Sequence, residues 1–342
     1  MLAWLGEKDP KKLEELFREA RACAVRHVGP KVYFRGIIEF SNLCVKDCYY
    51  CGIRRSNLNV TRFTLSEKEI LECAMAAQEM DYGSIVLQSG ERQDEEYVRF
   101  IEYVLQKIKA ATSRKLGITL SLGEQNAETY DRWFRAGAHR YLLRIETSDP
   151  ELYKRLHPAD HFFKVRRECL RVLRKIGYQI GTGVMIGLPF QTHESLMEDL
   201  LFFEREEIDM VGMGPYVPHD DTPLASGDHD PAENLRLGLV MIALTRLLLK
   251  NVNIAATTAL QTLDPSGREK GVQAGANIIM PNMTPTDYRK LYQLYNNKPC
   301  LDENARQCKS CLEQRIRAAG AEIGYGEWGD SRRFFERRKS TV

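Results

Sequence analysis

The sequence predicts an α/β chain folded as a closed (β/α)8 TIM barrel, and three observations predict it. Eight short apolar, β-rich stretches alternate with helical patterns, and each return to a parallel sheet needs such a crossover. Eight repeats over about 250 residues match the span of a (β/α)8 barrel, whose closure also removes edge strands. Nearly every polar or glycine-rich cluster follows the C-terminal end of a predicted strand, the face on which barrels carry their active sites.

Taken in order, a helical leader covers 9–28 and stops at the breakers Gly29-Pro30. Strands are predicted at 35–41, 84–88, 116–122, 140–145, 180–186, 209–214, 253–258 and 276–280. Helices are predicted at 66–82, 94–112, 126–137, 162–177, 192–207, 232–250 and 285–296. Ser66 with Glu69 forms a capping box, and Thr192 with Ser195 is a weaker start signal. The expected organisation is an N-terminal helical extension (1–30), the barrel (31–298) and a C-terminal segment (299–342). The basic run Arg332, Arg333, Arg337, Arg338, Lys339 is interrupted by Glu336 and follows Asp330, so it reads as a solvated tail.

Composition narrows the function. Of 342 residues, 43% are hydrophobic and 28% charged, with a net charge of +2. That profile fits neither a disordered chain nor a nucleic-acid binder. Charges interrupt any signal-peptide core at the N-terminus, and no apolar run approaches the ~20 residues that span a bilayer. A cytoplasmic protein is expected, where thiols stay reduced. Nine cysteines then need a reason other than disulfides, and six fall into two tight groups.

Cys44, Cys48 and Cys51 follow the first strand with spacing C-x3-C-x2-C. Thiolates suit zinc or iron–sulfur clusters. Structural zinc wants four ligands, so a zinc knuckle here needs a distant fourth residue. A [4Fe–4S] cluster on three thiolates keeps one iron free of protein ligands. C-x3-C-aromatic-aromatic-C at the end of a first barrel strand resembles the signature of the radical S-adenosylmethionine (SAM) superfamily. The resemblance implies that SAM chelates the open iron and is cleaved reductively to a 5′-deoxyadenosyl radical, fed by a low-potential electron donor. It also places Tyr50 beside the adenine.

Other loops extend the resemblance. Glu91, in Ser89-Gly90-Glu91 after the second strand, matches the element that receives the SAM amino group. Glu146, ending strand four, is implied as a ribose or amino contact, and Arg166 as the partner of the SAM carboxylate. Gly183 and Gly187 lie in a stretch resembling the one that backs the adenine; alone, a strand-end turn explains them equally well.

IVLQSGE (85–91), LSLGE (120–124), RYLLRIET (140–147), GPYVPHDDTPL (214–224), ATTA (256–259) and GANIIMPNMTP (275–285) resemble the HydE branch, the [FeFe]-hydrogenase maturases. This resemblance runs over roughly residues 30–312, with methylornithine synthase and biotin synthase as relatives. It implies a small organometallic substrate, an iron species with cysteine, CO and cyanide, supplied by a partner maturase. Arg140, Arg144, Thr257, Thr258, Met280 and Tyr292 are expected in its cavity. Ile145 stands where some HydE members carry histidine, and alternation turns it towards the helices. Cys300, Cys308 and Cys311 (C-x7-C-x2-C) resemble an accessory site for a second iron–sulfur cluster, with zinc as the other reading. Cys73 and Cys169 sit in helical patterns outside the barrel, which argues against sulfur insertion. An amino-acid mutase of the methylornithine synthase type is the rival enzyme, and a non-catalytic iron–sulfur carrier the rival class.

Overall fold

The computed structural model describes residues 1–227 and 229–339. Strands β1 (Lys31–Ser41), β2 (Ser84–Ser89), β3 (Gly117–Ser121), β4 (Arg140–Leu142) and β5 (Gln179–Thr182) are followed by β6 (Met185–Ile186) and β7 (Met210–Val211). Then come β8 (Gly214–Pro215), β9 (Asn253–Ile254), β10 (Ile278–Ile279) and β11 (Glu322–Ile323). The order β10-β1-β2-β3-β4-β5-β7-β9 is parallel throughout. An Ala255–Ile278 bridge joins the two ends and closes the ring.

Two predicted strands are broken. The stretch 180–186 divides into β5 and β6, and 209–214 into β7 and β8, with β6 and β8 pairing apart from the main ring. The break begins where the Gly183 carbonyl accepts from both Ile145 and Glu146 N–H, so the ladder cannot continue in register. The predicted helix 285–296 shrinks to Thr286–Arg289. Elsewhere capping sets the helix starts: Ser66 accepts from Glu69 N–H while Glu69 accepts from Ser66 N–H, and Thr192 and Ser195 make the same reciprocal pair.

The leader helix Pro10–Val28 packs on the apolar helix Pro231–Leu249 outside the barrel. No described helix is long and apolar enough to cross a membrane.

The C-terminal segment corrects the solvated-tail reading. β11 pairs with the start of β1, and the chain then runs beneath the barrel. Gly329 O accepts from Arg35 Nη2 (2.8 Å) and Asn253 Nδ2 (2.9 Å), and Ser331 N–H donates to Gln179 Oε1 (3.0 Å). Asp330 pairs with Arg140 at 2.5 Å, and Arg337 on the last helix reaches buried Asp209 at 2.8 Å. Of the basic run, Arg337 therefore answers a buried charge at a strand start, while Arg332, Arg338 and Lys339 are exposed as expected.

Burial opposes ionisation of Asp330, but the His139 hydrogen bond and the Arg140 charge outweigh it and hold its carboxyl well below the usual range. The stability it contributes should be complete above the ordinary carboxylate value of about 4 and fade as pH falls towards the folded value. Asp330→Ala strands Arg140 and should cost about 3 kcal/mol at neutral pH. Denaturant unfolding checks this, and an unchanged midpoint would show that the plug is not stabilising.

Candidate functional site

Cys44, Cys48 and Cys51 lie in the loop that leaves β1 at the barrel mouth. Arg62 staples this loop: Nη1 donates to Asn42 O (2.7 Å) and Ile53 O (2.8 Å), and Nη2 to Arg54 O (2.6 Å) and Asn57 O (3.1 Å). Asp47 ties it from within through Arg54 and Ser56. Three other segments grip it by backbone bonds: Tyr49 N–H to Leu156 O, Gly52 N–H to Leu294 O, and Leu224 N–H to Tyr49 O.

The three thiols share one environment. Burial pushes Cys48 up to about 12, burial reinforced by neighbouring sulfur charge pushes Cys51 well above the usual thiol value, and burial also raises Cys44. Three thiolates there need cationic metal among them. A [4Fe–4S] cluster can rest on three protein thiolates, the number this loop offers, whereas a structural zinc wants a fourth ligand. Glu91 N–H donates to Cys44 Sγ at 3.3 Å, linking the loop to β2.

Beside the thiols lies a buried four-charge network. Glu124 meets Lys46 and Arg166 at 2.8 Å each, whereas Glu91 meets them at 3.4 and 3.5 Å. Burial raises Glu91, with Arg166 only partly offsetting it; for Glu124 the two cations outweigh burial and lower it. Glu91 thus keeps acceptor capacity that Glu124 has spent. Sequence reasoning missed Lys46 and Glu124. The glutamate of the LSLGE stretch was the available signal, but nothing local announces a partner 78 residues away.

Arg144 forks onto Glu146 (2.8 to 3.1 Å) and donates to Gly212 O and Val184 O. Glu146 holds φ +62°, costly for a residue with a Cβ. Tyr50 Oη meets His157 Nε2 at 3.2 Å. Gly183 and Gly187 (φ +81°) answer to protein neighbours: a Cβ on the first would strike Gly212 O, and on the second Asn234.

These groups border a cavity of about 240 Å³. Tyr50, Cys51, Arg144, Glu146, Thr257, Thr258 and Met280 line it, together with Glu39, Arg268, Asn282, Tyr295 and Lys298, which the sequence did not single out. Glu39 pairs with Lys298 at 2.5 Å. Arg268 is 3% exposed, and its Nε and Nη1, like Thr257 Oγ1, have no hydrogen-bond partner among the described residues.

Two expected cavity residues lie elsewhere. Arg140 opens β4 at the closed end, on Asp330; four residues at ~3.3 Å each separate it from the mouth, although it shares a face with Arg144. Tyr292 sits behind the wall, its hydroxyl accepting from Gln88 Nε2 at 3.3 Å. Ile145 is in the core, and Cys73 and Cys169 are buried on helices outside the strands.

The comparisons with known proteins bear on this geometry. The radical SAM superfamily profile matches residues 38–203. The [FeFe] hydrogenase maturase subunit HydE of Thermotoga maritima is 45% identical over 323 residues, 94% of this chain and 90% of that protein. The chain belongs to the HydE family of radical SAM enzymes. Like that family it works with a [4Fe–4S] cluster and SAM. A 3-methylornithine synthase of Methanosarcina acetivorans is 31% identical, over 94% of this chain and 88% of that one. A crystal structure of methylornithine synthase superposes with a TM-score of 0.81 at 25% identity, covering 99% and 95% of the two chains. The chain thus shares its architecture with a methylornithine synthase.

Arg62→Ala removes the staple while the barrel core stays intact. Reconstituted protein should carry less than half the wild-type iron with an unchanged far-ultraviolet spectrum. Full iron content would show that Arg62 is dispensable.

Proposed function

We propose that this enzyme generates a 5′-deoxyadenosyl radical at the barrel mouth and directs it at an organometallic iron–cysteine precursor bearing CO and cyanide, during assembly of the [FeFe]-hydrogenase diiron cofactor. One observation carries the reading: Cys51 and Tyr50 line the same cavity as Arg144, Arg268 and Lys298, so a radical source and a cationic pocket share a wall. The name of the 45% identical relative supplies the pathway.

In this reading Cys44, Cys48 and Cys51 hold the cluster. When bound, cluster and SAM supply the electron and the hydrogen-abstracting radical. Glu91, loosely paired, accepts from the SAM amino group, and Arg166 offers its fork to the carboxylate. Glu146, held by Arg144, takes the ribose hydroxyls, while Tyr50 and the Gly183–Gly187 stretch flank the adenine. Within the cavity, Arg144 is matched by Glu146 and Lys298 by Glu39, while Arg268 has no ion pair, and its Nε and Nη1 no hydrogen bond, among the described residues. A buried cation without a partner is costly, so the pocket favours an anionic ligand, as a cyanide-bearing iron adduct is. Thr257 and Thr258 add hydroxyl donors, and Met280 an apolar wall. A tyrosine-cleaving maturase would supply the substrate and a low-potential carrier the electron. Nine cysteines without a disulfide among the described residues suit a reducing cytoplasm.

Reduced, reconstituted enzyme given SAM should release 5′-deoxyadenosine. Cys44→Ala should abolish that product and Cys308→Ala should keep most of it; no product from the wild type would overturn the enzyme reading. Added to the partner maturases, the wild type should restore hydrogenase activation. Isomerisation of lysine instead would transfer the chain to the mutase class.

A further inference from the structure

Two buried histidines stand over the cysteine loop on the segment that follows the helix Pro150–Leu156. His157 Nε2 meets Tyr50 Oη at 3.2 Å, and four residues on His161 Nε2 accepts from Asp47 N–H, also at 3.2 Å. Tyr49 N–H donates to Leu156 O at 2.9 Å. The segment is therefore anchored to the loop at three points, at Asp47, Tyr49 and Tyr50.

The partners of His157 fix which of its nitrogens carries a proton. Burial, reinforced by the charge of Arg166, pushes the imidazole down to about 3, so the ring is neutral and has one N–H. Nδ1 lies 2.9 Å from Tyr153 O, an oxygen that can only accept, so the proton sits on Nδ1. Nε2 is then a bare lone pair, and Tyr50 is the donor of the hydrogen bond between them. The imidazole plane is itself held, because Tyr153 stacks on it with ring centres 3.9 Å apart and planes 22° apart. Tyr50 meets that ring edge-on, at 89°, and lines the cavity beside Cys51. Its phenol is thus tethered at the hydroxyl, and its ring plane is set from outside the cysteine loop.

We propose that His157 is a positioning residue for SAM: its Nε2 lone pair holds the Tyr50 hydroxyl and so fixes the ring that flanks the adenine. This rests on the reading that SAM binds beside Tyr50. A ring already held in its bound orientation loses no rotamer freedom when the ligand arrives, and affinity gains accordingly.

The test measures SAM affinity in full-length, reconstituted and reduced enzyme, from the change in the cluster's electron paramagnetic resonance signal. Tyr50→Phe deletes one oxygen and keeps the ring; His157→Phe keeps the stack on Tyr153. Each should weaken SAM binding about fivefold, the worth of one neutral hydrogen bond, with iron content unchanged. The double variant should bind no more weakly than either single one, because both cut the same bond. His157→Gln, whose amide oxygen can reach the hydroxyl, should recover most of the loss. Nitrogen-15 resonance of labelled histidines in the oxidised enzyme should show His157 protonated at Nδ1 alone, with an Nε2 shift that moves in Tyr50→Phe. Wild-type affinity in Tyr50→Phe, additive losses in the double variant, or a proton on His157 Nε2 would each overturn the proposal while SAM binding itself stands. A wild type whose signal ignores SAM would overturn the SAM reading and this proposal with it.

Discussion

Three partly buried thiols on one short loop must be held at a spacing that a cluster can bridge, and the rest of the barrel mouth is arranged around that demand. Left to itself the loop would turn its sulfurs to solvent, because burial disfavours thiolates. Arg62 opposes this by donating to five backbone carbonyls of the loop. Segments after β4 and β8 and the chain after β10 hold the same loop by backbone hydrogen bonds. A cluster on these thiols would lie beside Glu91, whose N–H donates to Cys44 Sγ, and beside a network in which Glu91 and Arg166 are balanced by Lys46 and Glu124. A zwitterionic ligand can then exchange contacts with the network without leaving a net buried charge.

The two ends of the barrel do opposite work. At the strand starts the C-terminal segment lies across the opening, with Asp330 on Arg140 and Gly329 between Arg35 and Asn253. At the strand ends β5 and β7 break and their continuations pair separately, beside Arg144 and Glu146. A radical intermediate needs water excluded on one side and ligand access on the other, and one polypeptide supplies both. The far wall belongs to the segment carrying Lys298 and Cys300, so the C-terminal thiols are not remote from the pocket.

Much of this was legible in the sequence because it is local. The alternation of strands and helices, the cysteine spacing, the capping box at Ser66 and the two-residue offset of Arg144 and Glu146 each depend on neighbours within a turn or a strand. What was not legible depends on contacts across the chain. Alternation assigned Arg140 the inward face correctly but not its height, which decides between pocket and plug. The basic C-terminus read as solvated because its partners, Asp209 and the strand starts, lie more than a hundred residues earlier. Tyr292 and Tyr295 are three residues apart, and the shortening of the predicted helix 285–296 to Thr286–Arg289 puts Tyr295 rather than Tyr292 on the cavity. Lys46, Glu124, Arg268 and the Glu39–Lys298 pair carry no motif; their roles appear only when the loops converge.

The central claim is that three cysteines leave one iron open and that SAM occupies it beside Glu91 and Arg166. Electron–nuclear double resonance on the reduced enzyme with SAM labelled at its amino nitrogen and carboxylate oxygen tests it directly. Both labels should couple to the cluster spin, and the cluster signal should shift when SAM is added. A cluster signal that is unchanged by SAM and shows neither coupling would contradict it.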